Sequence, residues 1–249
     1  MSIDINQTDW RSVLPNSTIA TVHDLKLMNG KVWQVLLKPL EQYPFQAGQF
    51  TELLIDGFQF LYFTIASAPH SPCVELHVQG GTPTNDRLIE YLRQKGSVSL
   101  APAGGRCILP TLPNEPGPLL LIASGTGFSQ VKAIAEDYIA NACLRPVYIY
   151  WASYKLSQLY MLEKAEAWAE QETNIHLTAL ISEHSHWEDN HQMLLHSIIS
   201  EQLELTSAQA IICGSPKMVY SLFDALVDNG FRADHILSDV FDFAPREQA

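Results

Sequence analysis

From residue 17 to about residue 106 the chain falls into short β-rich stretches bounded by turn residues, at 19–28, 32–37, 50–55, 60–66, 74–78 and 98–101. Strands that follow one another without intervening helices pair with their neighbours, which predicts an antiparallel sheet or barrel. Asn29-Gly30 separates the first two stretches. Both residues tolerate positive φ, so the dipeptide predicts a hairpin. One helix is predicted in this half, near 85–94, with Asp86 or Asn85 as its cap.

Beyond a Pro- and Gly-rich stretch at 110–118 the pattern changes, and apolar strands alternate with helical periods. The strands read as 119–123, 147–151, 175–181 and 210–213, and the helices as 131–142, 159–170, 193–203 and 218–229, the last closed by Gly230. Continuous apolar strands between helices predict a parallel sheet covered on both faces. The chain thus divides into an extension over 1–16, a β-barrel over 17–112 and an α/β domain over 113–249.

Composition narrows the function. With 47% hydrophobic and 17% charged residues the chain can bury a substantial core, so folding is the expectation. A net charge of −12 opposes the phosphate backbone of nucleic acid and anionic membrane surfaces, and excludes both as main partners. No apolar run approaches the ~20 residues of a bilayer span, and residues 1–15 lack a basic start followed by an apolar stretch. The expectation is a cytoplasmic protein. Cys73, Cys107, Cys143 and Cys213 lack C-x-x-C spacing, which argues against a zinc ribbon or iron–sulfur cluster. The first three read as small buried hydrophobes.

Two glycine turns carry the clearest chemistry. The strand ending at Ala123 runs into Ser124-Gly125-Thr126-Gly127-Phe128-Ser129 and then a helix, the context in which backbone N–H groups and a helix N-terminus hold a pyrophosphate. Gln130 stands where a dinucleotide fingerprint would place its third glycine. Cys213-Gly214-Ser215-Pro216 ends a later strand of the same sheet, with Met218 in the helix it opens. Ligands of open parallel sheets sit outside the carboxyl ends of the strands, so the two turns predict one shared crevice.

These residues resemble the ferredoxin–NADP reductase superfamily, and within it the small bacterial NAD(P)H:flavin oxidoreductases that lack an iron–sulfur domain. The resemblance covers residues 17–243. It rests on Phe45-Gln46-Ala47-Gly48-Gln49-Phe50, Tyr62-Phe63-Thr64-Ile65-Ala66-Ser67, Gly125-Thr126-Gly127-Phe128-Ser129, Ile149-Tyr150-Trp151, Cys213-Gly214-Ser215-Pro216 and Asp239-Val240-Phe241-Asp242-Phe243. It implies a flavin-binding barrel in which Tyr62, Phe63, Thr64 and Ile65 lie along the flavin, with Thr64 reaching the flavin N5. His77, Val78, Gly80, Gly81 and Thr82 would close around the ribityl chain, and Phe241 and Phe243 would shield the ring. In the second domain it implies a nicotinamide site at Gly125, Thr126, Gly127, Phe128, Ser129, Cys213, Gly214, Ser215, Pro216 and Met218, with Cys213 orienting the nicotinamide. The implied reaction passes hydride from nicotinamide C4 to a flavin, be it riboflavin, FMN or FAD, with no metal involved.

Two departures bear on that expectation. Leu61 stands where the family usually has an Arg that pairs with the flavin phosphate, which predicts a dissociable flavin held by ring and ribityl chain. Arg106 is the candidate substitute charge. After Trp151, Ala152-Ser153-Tyr154 lacks the Arg that NADPH-preferring relatives use, and only Lys155 is near, which favours NADH. Two alternatives remain: a bound-flavin reductase passing electrons to an oxygenase or another acceptor protein, and a nucleotide-binding module without catalysis. Glu183, His184, His186, Glu188, Asp189 and His191 have the composition of a metal cluster but not its helical spacing, and read as a solvated loop.

Overall fold

The computed structural model describes residues 16–55, 59–183 and 190–246. Residues 184–189 of the His- and acid-rich loop lie outside these, and no group able to hold a metal ion occurs among the described residues.

The first half is a nearly closed antiparallel barrel. Its strands are β1 (Thr18–Leu27), β2 (Val32–Pro39), β3 (Phe50–Ile55), β4 (Gln59–Thr64), β5 (Val74–Gln79) and β6 (Ser97–Leu100), in the order β4-β3-β6-β1-β2-β5. An antiparallel bridge between Ile65 and Leu76, with Ala66 N donating to Glu75 O at 2.7 Å, brings the two end strands together. Alternation along the strands sends Val35, Leu37, Leu53, Ile55, Ile65, Leu76 and Val78 into the barrel core. Helix α1 (Pro83–Lys95) adds Leu88, Ile89 and Leu92 to that core.

Two local expectations are corrected. Helix α1 is capped by Thr82, whose hydroxyl accepts from Asn85 N at 3.3 Å, and not by Asp86 or Asn85. Pro83 at the first helical position moves the start upstream, which leaves the Asp86 carboxylate to accept from Gly81 N at 2.9 Å. The hairpin between β1 and β2 forms, but through a 3₁₀ turn over Asn29–Lys31 in which the left-handed residue is Lys31, φ 64°.

The second half is a parallel sheet of β7 (Leu119–Ser124), β8 (Val147–Ser153), β9 (Ile175–Ile181), β10 (Gln209–Cys213) and β11 (Ile236–Leu237), in the order β11-β10-β7-β8-β9. All six residues of β7 are buried, as its unbroken apolar run requires. Helices α2 (Phe128–Ala140) and α3 (Leu162–Gln171) cover one face, and α4 (Asn190–Ser200) and α5 (Pro216–Asp228) the other; the short α6 (Val240–Phe243) ends the described chain. Helix α2 begins at Phe128, three residues before the predicted start, because the glycine turn winds directly into it as a 3₁₀ turn over Gly125–Gly127.

Val32, Ala47 and Cys107 join the core beneath α2, so the barrel and the sheet share apolar packing. Cys107 is buried and Cys73 half-buried as small apolar groups, whereas Cys143 is exposed in the turn after α2, outside the core expected for it. Among the described residues no helix is long and apolar enough to cross a membrane.

Candidate functional site

The sheet order places β7 between β8 and β10, so the connections leaving β7 and β10 diverge and open a crevice beyond their carboxyl ends. Both glycine turns lie there. They pack back to back because each lacks a side chain: a Cβ on Gly127 would stand 2.5 Å from the Cys213 carbonyl, and one on Gly214 2.3 Å from Ser124 Oγ. Gly125 holds φ +53° with open space where its Cβ would point. Helix α2 has no side-chain cap, whereas Thr82 and Ser215 cap α1 and α5. An uncapped N-terminus beneath an open glycine turn is a donor set suited to a phosphate group.

A cavity of about 310 Å³ joins the crevice to the barrel wall. Tyr62, Phe63, Thr64, His77, Gln79 and Asn85 line it from the barrel side. Thr126, Gly127, Ser129, Gln130, Cys213, Gly214 and Ser215 face them, with Asp239 and Phe243 from the chain end. A second cavity of about 400 Å³ shares Thr126 and Gln79 and extends past Gly125 to Ser153, Tyr154 and Gln158. Together they fall in the size range of nucleotide-sized pockets. No Lys or Arg lines either cavity.

The predicted residues divide into those whose side chains reach the cleft and those that build its walls. Thr64 lies opposite Phe50 in the β3–β4 register and faces the cavity, while Tyr62 is 63% exposed at its rim. Ile65 and Val78 point into the barrel core, and Phe128 stacks on Trp151 at 3.7 Å beneath the glycine turn. Met218 is buried against the back of the sheet, and Pro216 starts α5. Gly80 takes part in a backbone bond to Lys31 O at 2.8 Å, and Gly81 and Thr82 form the entry to α1. Phe241 packs on Tyr220 and Phe223, so the terminal aromatic lining the cavity is Phe243, 64% exposed. Leu61 lies half-buried against the barrel core, opposite Leu53. Arg106 is ion-paired with Asp242.

His77 has both ring nitrogens engaged, Nε2 with Glu75 Oε1 at 2.9 Å and Nδ1 with the Tyr160 hydroxyl at 2.9 Å. Burial lowers its pKa against the opposing pull of Glu75, so the neutral ring donates to the carboxylate and accepts from Tyr160. Burial alone would raise Glu75; the His77 hydrogen bond and the Lys132 charge outweigh it and hold the carboxyl at about 2. Lys132 on α2 is itself buried and donates to Glu75 Oε2 at 2.8 Å, Glu136 Oε2 at 2.8 Å and Ala66 O at 3.0 Å. This network ties the barrel strand carrying His77 to the helix that starts at the glycine turn.

Sequence reasoning missed this network. Lys132 and Glu136 lie one helical turn apart, and Lys132's place within the apolar face of α2 is the signal in the sequence for its burial. It also missed Asp239, quoted within the terminal motif but assigned no role. Asp239 lines the cavity, and burial lifts its carboxyl from 3.8 to about 6. Burial likewise keeps the Cys213 thiol protonated, well above its ordinary value. Cys213 is therefore a weak donor rather than a nucleophile.

Comparison with known proteins bears on the fold and on the nucleotide-binding half. Residues 121–222 match the family described as the oxidoreductase NAD-binding domain. Over 223 residues the chain is 27% identical to an NAD(P)H-flavin reductase of Vibrio harveyi, covering 85% of this chain and 92% of that one. It is 26% identical over 223 residues to protein RfbI of Salmonella typhimurium, covering 88% and 67%. A solved ferredoxin NADP+ reductase from Neisseria gonorrhoeae with bound FAD and NADP superposes with a TM-score of 0.74 at 20% identity, over 89% of this chain and 97% of that one. The chain thus shares its two-domain fold with this ferredoxin NADP+ reductase, and its residues 121–222 match the oxidoreductase NAD-binding domain.

Proposed function

We propose that the protein is an NAD(P)H:flavin oxidoreductase of the cytoplasm that takes NADH in preference to NADPH and binds flavin as a dissociable substrate. The observation that carries this reading is one cleft lined by the Thr64 strand of the barrel and by the two glycine turns of the sheet. When both are bound, the nicotinamide supplies a hydride and the flavin accepts it. The chain's own residues place the two rings and exclude water. Thr64 offers a hydroxyl donor to the flavin's accepting nitrogen, and neutral His77 presents its ring without an added charge. Gly125–Gly127 and the start of α2 take the pyrophosphate, with Gly214 and Ser215 on its other side. Cys213, held as a thiol, orients the nicotinamide.

Two features support the finer choices. Ser153 Oγ already donates to Gln158 Oε1 at 3.2 Å, and Lys155 is the one cation beside this end of the pocket in sequence, which leaves no guanidinium fork for a 2′-phosphate. A flavin cleft lined by no Lys or Arg, with Leu61 turned to the barrel core, favours the uncharged ring and ribityl chain over the phosphate.

The test is NADH oxidation by purified, dialysed protein with riboflavin, FMN or FAD added. Turnover should require added flavin, with riboflavin and FMN KM values within about tenfold, ~1.4 kcal/mol. At limiting concentration NADH should outperform NADPH. Absence of turnover with all three flavins would leave a nucleotide-binding module. Protein that stays yellow and active without added flavin would point to a bound-flavin component.

A further inference from the structure

Gln130 is 1% exposed, a polar side chain in the first turn of α2, where every residue from Phe128 to Ala135 is buried. Both ends of its amide are used. Oε1 accepts the Cys213 thiol at 2.8 Å, and Nε2 donates to the Gly48 carbonyl at 2.7 Å. Gly48 is a fixed point, because its φ of +100° is open to few other residues and a Cβ there would lie 2.2 Å from the Cys107 carbonyl. From Gly48 the path to Thr64 is short and rigid: Ile65 N donates to Gln49 O at 2.9 Å, and Phe50 lies opposite Thr64 in the β3–β4 register.

The amide therefore spans the cleft floor, from the sulfur on the sheet side to the loop that carries the Thr64 wall. A thiol has a single proton. Given to Gln130, it leaves the sulfur lone pairs directed away from the amide, and Cys213 is among the residues lining the cavity. Without that acceptor the S–H could rotate, and the distance between the two walls would lose its tie. Two further groups bound this corner, the buried Cys107 thiol, which also hydrogen-bonds with the Gln130 side chain, and the carboxyl of Asp239.

We propose that Gln130 is a positioning residue, which fixes the rotamer of the Cys213 thiol and sets its place relative to Thr64. The proposal rests on the flavin reductase reading given above. In that reaction Gln130 acts through Cys213.

Two measurements test it separately. The S–H stretching band of Cys213 can be isolated by Raman difference against Cys213→Ser, and reports the thiol's hydrogen bond whether or not the protein turns over. In Gln130→Met, which keeps the side chain's length but removes donor and acceptor, the band should move to higher frequency. In Gln130→Glu, burial favours the neutral acid, whose O–H can donate to Gly48 and whose C=O can accept the thiol, so the band should return. Steady-state kinetics should show kcat reduced roughly tenfold in Gln130→Met, with the NADH and flavin KM values changed less than threefold and kcat restored in Gln130→Glu. Both variants are compared at matched unfolding midpoints.

A band that does not move in Gln130→Met overturns the proposal, as does a moved band with kcat within twofold of wild type. A wild type with no flavin-dependent NADH oxidation would sink the function proposed above instead. The band and the NADH affinity of the variants would still decide whether Gln130 orients the thiol.

Discussion

Asp239 is a residue whose chemistry differs between the sequence and the folded chain. As a lone carboxylate near a C-terminus it would be ionised and solvated; packed into the cleft, burial raises its pKa to about 6. A carboxyl whose folded value lies above its unfolded one favours the folded state fully below pH 3.8, and that contribution is lost as pH rises through about 6. Asp239→Asn should therefore gain stability over wild type above pH 6, by up to ~3 kcal/mol, with the difference vanishing towards pH 4. Denaturant midpoints across that range measure it. Because Asp239 lines the cavity, kcat/KM of wild type should also inflect near pH 6 and that of Asp239→Asn should not.

At the scale of elements, the turn from β7 into α2 depends on its two glycines for different reasons. Gly127 needs closeness, since its missing Cβ is filled by the backbone of Cys213. Gly125 needs its left-handed φ of +53° and has open space around it. Gly127→Ala should thus cost ~1–3 kcal/mol through overpacking against the Cys213 backbone, which it should displace. Gly125→Ala should cost only ~1 kcal/mol of stability, the penalty of a left-handed alanine, while raising the NADH KM by placing a methyl in the open space proposed for the pyrophosphate. Thermal midpoints and NADH titrations of the two variants separate these effects. Equal behaviour would mean that the turns do not pack as described.

For the whole molecule, the decisive contact is the buried Lys132, Glu75 and His77 network between barrel and sheet. Lys132→Met removes the cation and strands an ionised Glu75, a loss of ~3–5 kcal/mol. Lys132→Met combined with Glu75→Gln should recover much of it, because the uncompensated charge goes too. Glu75 has a folded value of about 2 against an ordinary 4.5, so its stabilisation is present above pH 4.5 and lost as pH falls towards 2. Wild type should lose stability through that acid window more steeply than Glu75→Gln. Unfolding followed in guanidinium at several pH values checks both statements.

Much of this was legible in the linear chain. The short β-rich stretches without intervening helices in the first half and the apolar runs between helical stretches in the second predict a barrel and a parallel sheet, because strands that follow one another pair as neighbours while strands buried on both faces read as continuous apolar runs. The glycine turns declared the crevice, and the resemblance to a known family, rather than periodicity or spacing, pointed to Thr64 and Cys213, which line one cavity. What the sequence could not convey was which side chains of those motifs point inward: Ile65, Val78 and Phe128 build walls, and Phe243 rather than Phe241 lines the cavity. Nor could it show that Gln130, a missing glycine in the fingerprint, bridges to Gly48 some 82 residues away in the chain, or that Lys132 leaves its helix surface to meet Glu75. Local order fixes hydrophobic period and turn chemistry, which are properties of neighbours along the chain. Protonation of Asp239, the tie across the cleft and the buried charge pair are set by groups that meet only when barrel and sheet close on each other, and desolvation there, absent from any short segment, determines their chemistry.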